Sequence, residues 1–312
     1  MEGTTQDAPQ SAADWATLAA GSWDEFDFAP YEHNLQIEGR SVKYVDLGDP
    51  GLPVLFYVHG LMGTWRNWIF NLLPFADRYR VIAIDLPGFG ESQLPARGIS
   101  IEHYAETLKE FATALGIGRF TLVGNSMGGH IGAMVAKRTP ELLERLVLVD
   151  PAGFSTSTRF LGRLSALAWT INWFFLLAAR FRRTIAFNRR LAAVLTKIVL
   201  HKPKQISSQL ILMLLEGVGK AGFVPAIRAI ATTPIAPVPG EVTVRTAIIW
   251  GRNDLLVPRS DAFRYANLIP HARLELMDDV GHIPMFETPE RFNAVLEDFL
   301  ASAATPAQAA AA

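Results

Sequence analysis

Two hydrophobic periods alternate along most of this chain. Short continuous apolar runs, Val54 to Val58, Val81 to Ile84, Phe120 to Val123, Arg145 to Val149, Val244 to Trp250 and Arg273 to Met277, read as buried strands. Between them, apolar residues spaced three and four apart predict helices over Trp65 to Phe75, Ile101 to Leu115, Met127 to Arg138, Ser260 to Leu268 and Pro289 to Leu300. Ahead of this series, Tyr31 to Ile37 and Ser41 to Leu47 flank the turn Glu38-Gly39-Arg40 and read as a hairpin. Continuous apolar strands alternating with helices imply a mostly parallel sheet covered by helices on both faces. In such sheets, chemistry collects at the C-terminal strand ends.

The alternation stops at Gly153. Up to about Ile235 only helical spacing is found, as in Leu164, Leu167, Ala168, Ile171, Phe174 and Phe175, so an all-helical insertion is expected. Pro234, Pro237 and Pro239 read as a stiff return to the body. The expected division is an arm over 1–30, a core of 31–152 and 240–303, a helical cap over 153–239 and an Ala-rich frayed tail over 304–312. Trp15, Trp23, Phe26 and Phe28 give the arm a means of packing on the core.

Composition adds exclusions. The 29 Lys and Arg nearly balance the 30 Asp and Glu, so no global field argues for a nucleic-acid partner. With seven His, no Cys and no metal-ligand spacing, neither a metal nor a cofactor is expected. A polar, acidic N-terminus lacks the basic and apolar regions of a signal peptide, and a cytoplasmic protein is expected. The longest apolar stretch, Leu164 to Ala179, has 16 residues, short of the roughly 20 needed to cross a bilayer.

The chemistry begins at Gly124-Asn125-Ser126-Met127-Gly128, a G-x-S-x-G pattern between a strand and a helix. A turn sharp enough to lift Ser126 out of the sheet leaves no room for side chains two residues either side, and both places hold glycine. It also sets Ser126 at a helix N-terminus, where backbone N–H groups favour a developing oxyanion. Serine alone is a weak nucleophile and needs a base and an orienting acid. His282 follows a strand end and a glycine, and Asp254 lies in the Gly251-Arg252-Asn253-Asp254 turn after the preceding strand. The order Ser, Asp, His goes with this type of nucleophile turn. Asp150 also ends a strand and is the rival acid, but it leads into Pro151 and the insertion, which a local turn role explains. His59 is expected to pin its loop, Asp85 to anchor a turn, and His130 to pack against the sheet.

These motifs together resemble the α/β-hydrolase fold family, specifically its capped serine-triad members, over about residues 31 to 300. The matching runs are H-G-x-x-G at His59 to Gly63, D-x-P-G-x-G-x-S at Asp85 to Ser92, G-N-S-M-G-G at Gly124 to Gly129, G-x-x-D at Gly251 to Asp254 and G-H-x-P at Gly281 to Pro284. The resemblance implies eight strands, with the cap between the sixth and seventh. It also implies an oxyanion hole formed by the backbone N–H groups of Leu61 and Met127. Relatives that cleave haloalkanes or epoxides carry aspartate at the nucleophile position, so Ser126 points to attack on a carbonyl.

Cap composition bears on the substrate. Leu164 to Phe181 is apolar nearly all round, with Trp169, Trp173, Leu176 and Leu177 on one side, and Arg180, Arg182, Arg183, Arg189 and Arg190 follow. One face should cover the sheet; the other meets an apolar substrate, a partner or a peripheral membrane surface. Trp169, Trp173, Leu176, Leu177 and Ile283 are the pocket candidates, and a small to medium apolar ester, lactone or thioester is the expected substrate. Alternatives are C–C hydrolysis of a vinylogous diketone, suggested by the G-N-S-M-G-G wording, cofactor-free perhydrolase or acyltransferase action, and a non-catalytic binding protein on the same scaffold. The oligomeric state is left open.

Overall fold

A computed structural model of the chain describes residue 15 and residues 22–154, 168–233 and 240–302, and of 168–172 the backbone alone. Eight strands, β1 (Glu32–Ile37), β2 (Arg40–Leu47), β3 (Val54–Val58), β4 (Arg80–Ile84), β5 (Phe120–Asn125), β6 (Leu143–Val149), β7 (Thr246–Gly251) and β8 (Arg273–Met277), form one sheet. Their order is β1-β2-β4-β3-β5-β6-β7-β8. The pairs β1–β2 and β2–β4 are antiparallel and every other pair is parallel. The expected eight-stranded, mostly parallel sheet is what the chain forms.

Side chains alternate across it. Phe56 and Val58 share one buried cluster with Ile82, Ile84, Leu122 and Leu148, while Leu55 and Tyr57 share the other with Val81, Ala83, Val123 and Val149. The first face is covered by α2 (Ile101–Ala114), α3 (Met127–Arg138) and later α9 (Ser260–Leu268), through Tyr104, Phe111, Ile131 and Tyr265. The second is covered by α1 (Ile69–Leu72) and α11 (Pro289–Ala301), through Leu72, Phe292 and Leu296. A sheet buried on both faces must read as continuous apolar runs, which is why its strands were visible in the sequence.

The stretch Trp65 to Phe75 is less regular than its spacing predicts. One α-helical turn, α1, is flanked by 3-10 turns over Trp65–Trp68 and Leu73–Phe75. Thr64 caps the first, and Pro74, which lacks an N–H, sits inside the second.

Every described element between β6 and β7 is helical: α4 (Ala168–Arg180), α5 (Arg182–Phe187), α6 (Arg189–Thr196), α7 (Ser208–Leu214) and α8 (Phe223–Thr232). The helix α10 (Pro284–Glu287) precedes α11. The prolines at 234, 237 and 239, Leu164, Leu167 and the tail from 304 lie outside the described residues. Of the arm, Trp15 and Phe28 are buried, with Trp15 5.4 Å from Tyr31 and Phe28 5.3 Å from Trp65 between ring centroids. That part packs on the core instead of hanging loose.

Register sets the working edge. Val58 pairs with Gly124, Asn125 with Val149, Val149 with Ile249, and Gly251 with Met277, so the loops after β3, β5, β6, β7 and β8 leave from one rim.

The burial contrast is testable by urea denaturation. Leu122→Ala, at a fully buried position of β5, should cost about 2–5 kcal/mol. Val194→Ala, on an exposed part of α6, should cost less than about 0.5 kcal/mol.

Candidate active site

The nucleophile turn is the most constrained point of that rim. Ser126 has φ 55° and ψ −114°, a left-handed conformation that a residue with a Cβ rarely adopts. Three backbone bonds hold it: Ser126 N–H donates to Val149 O at 2.9 Å, and Ser126 O accepts from His130 N–H and Ala152 N–H, each at 3.0 Å. A Cβ on Gly124 would collide with the carbonyl of Gly128, and one on Gly128 with the carbonyl of Val58. Glycine at both places is therefore a packing requirement, as the motif predicts. The Ser126 side chain stands beside the β3 loop, since a Cβ on Gly60 would lie 3.0 Å from Ser126 Cβ. Leu61 follows in that loop, and Met127 opens α3, whose first-turn N–H groups have no intrahelical acceptor.

His282 and Asp254 are brought together. His282 Nδ1 lies 2.7 Å from Asp254 Oδ2, with both side chains almost wholly buried. Asp254 Oδ1 accepts from Leu256 N–H at 2.7 Å and Val257 N–H at 2.9 Å, which fix the carboxylate in place. A carboxylate at Nδ1 holds the proton there and leaves Nε2 as the basic nitrogen. Among the described residues Nε2 has no hydrogen-bond partner. Asn125, the residue before Ser126, donates through Nδ2 to the carbonyl of His282 at 3.1 Å, which ties the histidine loop to the nucleophile turn.

Asp150 proves to belong to the same cluster. Its Oδ1 accepts from Gly251 N–H at 2.9 Å, and one ligand atom of each of Asp150, Asp254 and His282 lies within 4.8 Å of the others. Burial, and then the neighbouring charge of Asp254, push the Asp150 carboxyl well above the usual carboxylate range. Two acids and an imidazole at that spacing could also face a single cation. A local turn role is not all that this residue has: it is fully buried beside Asp254, whose carboxylate meets His282 Nδ1.

The loop-pinning residues are where the sequence put them. His59 Nδ1 donates to Gly60 O at 2.6 Å and its Nε2 accepts from Leu86 N–H at 2.9 Å, with burial lowering its pKa to about 4. Asp85 accepts from Trp65 N–H at 2.7 Å and Glu91 N–H at 2.8 Å, while burial raises its pKa to about 6. His130 is fully buried, which also lowers its pKa to about 4. Neutral imidazoles with both ring nitrogens committed, as in His59, are structural pins and not bases.

Sequence reasoning missed Asn125 and Glu287. Glu287 Oε2 accepts from Gly281 N–H and His201 N–H, each at 2.9 Å, and Oε1 from Lys202 N–H at 2.6 Å. It bolts the histidine loop to the cap. The spacing G-H-x-P-x-x-E held the signal, but its partners at 201 and 202 are distant in sequence.

The pocket candidates scatter. Ile283 is buried under the rim, Leu176 lines a cavity, Trp173 and Leu177 are exposed, and the Trp169 side chain lies outside what is described. That cavity, about 590 Å³, runs between α4 and α8, lined by Ile99, Leu176, Val224 and Pro225 with the cations Lys220 and Arg228. Neither Ser126 nor His282 lines it.

Comparison with known proteins agrees with the geometry. Residues 53–289 match the model of the alpha/beta hydrolase fold. A 2-hydroxy-6-oxo-6-phenylhexa-2,4-dienoate hydrolase of Comamonas testosteroni is 30% identical over 275 residues, 84% of this chain and 88% of that protein. The dihydrolipoyllysine-residue acetyltransferase component of the acetoin cleaving system of Cupriavidus necator is 28% identical, over 92% of this chain and 74% of that protein. Among solved structures, a membrane phospholipase A described as a bacterial virulence factor superposes with a TM-score of 0.69 at 27% identity, covering 93% of this chain and 90% of that one. The chain belongs to the α/β-hydrolase fold family, and it is a hydrolase-fold enzyme.

Proposed function

We propose that this enzyme is a serine hydrolase that cleaves apolar carboxylic esters through an acyl-enzyme. The observation that carries the reading is the 2.7 Å contact of His282 Nδ1 with Asp254, in a loop tied to the residue before Ser126. Ser126 Oγ attacks the carbonyl carbon as His282 Nε2 takes its proton. Backbone N–H groups of Leu61 and Met127 meet the oxyanion. The imidazolium, stabilised by Asp254, then returns the proton to the leaving alkoxide oxygen, and the C–O bond breaks. In the second half, His282 deprotonates a water that attacks the acyl carbon, and Ser126 leaves with that proton. Asp150, fully buried and with its carboxyl pushed well above the usual carboxylate range by burial and the neighbouring Asp254, supports that acid from behind.

A second reading is hydrolysis of a C–C bond in a vinylogous diketone. The Comamonas testosteroni relative, named as a hydrolase of a phenylhexadienoate, favours it. Acyl transfer, suggested by the Cupriavidus necator relative, would need an acceptor other than water at the acyl-enzyme. Rates on p-nitrophenyl esters and on a dienoate diketone, measured side by side, separate the first two readings.

Three outcomes are expected. A fluorophosphonate should label the protein once, at Ser126, and Ser126→Ala should abolish the label; a folded protein that neither labels nor cleaves any ester would return weight to a binding role. Asp254→Asn should lower kcat by about 10³- to 10⁴-fold, and Asp150→Asn by less than about tenfold. The reverse ranking would make Asp150 the acid. Asp150→Asn should also change the pH dependence of stability. A carboxyl whose folded pKa is raised adds stability that is present at acid pH and fades as pH rises above its ordinary 3.8. The variant lacks that titration, so its stability relative to wild type, read from urea midpoints, should climb with pH from 4 to 7. The slope can reach about 1.4 kcal/mol per pH unit.

A further inference from the structure

From Pro151 to Leu215 the chain carries ten Lys and Arg and not one Asp or Glu, which leaves 19 cationic residues against all 30 acids elsewhere. A net charge of −1 conceals this separation. The described part of the segment turns its cations outward: Arg180, Arg182, Arg183, Arg189, Arg190 and Lys197 are all exposed.

Its apolar residues are turned outward as well. On α6, Val194 is 72% exposed while Ala192 and Thr196 on the inner side are 5% and 3% exposed. A helix built for water does the opposite, putting its large apolar residues inward. Trp173, at 73% exposure, and Leu177 on α4, Phe181 just after it and Phe187 at the end of α5 are exposed as well. Large apolar side chains left exposed on consecutive cap helices mark a binding surface. No described helix is long and apolar enough to cross a membrane, so the contact would be peripheral.

We propose that this cap face is a docking surface for an anionic lipid bilayer. Arginines interleaved with large apolar side chains suit that occupant: the rings and leucines enter the headgroup and acyl boundary, and the guanidinium groups reach anionic headgroups. A second copy of the chain suits it less, because two such faces would bring ten or more like charges together. Arg183 over the ring of Phe187, 5.8 Å from its centroid, shows the two components already in register. The docked cap would set the cavity beside Leu176 next to the lipid. The inference stands apart from the ester reading, since neither charge nor exposure here involves Ser126.

The test is flotation of the intact protein, wild type and Ser126→Ala, with vesicles of phosphatidylcholine alone or mixed with phosphatidylglycerol. Both proteins should bind the mixed vesicles at low salt, much less the neutral ones, and raised salt should release them. The combined Arg182→Glu, Arg183→Glu and Arg190→Glu variant should lower the partition coefficient by at least about tenfold. Brominated lipid should quench Trp173, with the effect lost in Trp173→Phe. The salt series on wild type keeps the proposal falsifiable should the triple variant misfold. Absence of binding at low salt, or binding indifferent to salt and to charge reversal, would overturn it. So would a concentration-dependent dimer in sedimentation with no vesicle binding, which would assign the face to a second copy. Because Ser126→Ala is included, a failed ester reading leaves the lipid result intact.

Discussion

The structure depends on one strained turn. A non-glycine residue at φ 55° costs about 1–3 kcal/mol and persists only where its surroundings over-determine it. Ser126 is over-determined from three sides: β6 accepts its N–H, Ala152 and His130 donate to its carbonyl, and the glycines at 124 and 128 let β5, β3 and α3 approach closely. The position of the hydroxyl is thus set by the middle of the sheet. Any change that shifts β5 against β3 moves the nucleophile.

The acid and the histidine are mounted differently. Neither is in a strand; each sits in a loop whose shape comes from bonds to other loops. Asp254 is held by amides of its own turn, while His282 is held by Asn125 and, through its N–H, by Val199 O at 2.9 Å in the cap. Asp150 fastens the end of β6 to β7 ahead of the Asp254 turn, since its N–H bonds to Ile249 O and its carboxyl accepts from Gly251 N–H. Burial beside Asp254 pushes the Asp150 carboxyl up, so the two acids resist carrying charge together.

This difference explains what the sequence could disclose. Strands, the nucleophile turn and the residues at rim loops were legible because a sheet buried on both faces writes continuous apolar runs, and a collision at Gly124 or Gly128 writes glycine. The pairing of Asp150 with Asp254 was not legible, because it arises from the register of β6 against β7, where Val149 meets Ile249. Glu287 was hidden for a similar reason, as its amide partners lie 85 and 86 residues away. The cap helices gave their apolar character but not its direction. Only the packing of Ala192 and Thr196 inward reveals that Val194 faces out.

The cap is also not a free lid. A rigid-body opening would break His282 N–H to Val199 O and both bonds from Glu287 to His201 and Lys202, and would release the imidazole it was meant to uncover. Any movement that keeps the proposed triad assembled must pivot about residues 199–202. The far side of the cap, where α4 and α8 border the cavity, is joined to the core by Gly222 N–H to Gly88 O at 3.0 Å. The same cap therefore carries both the exposed aromatic residues and, at 199–202, the bonds that hold His282.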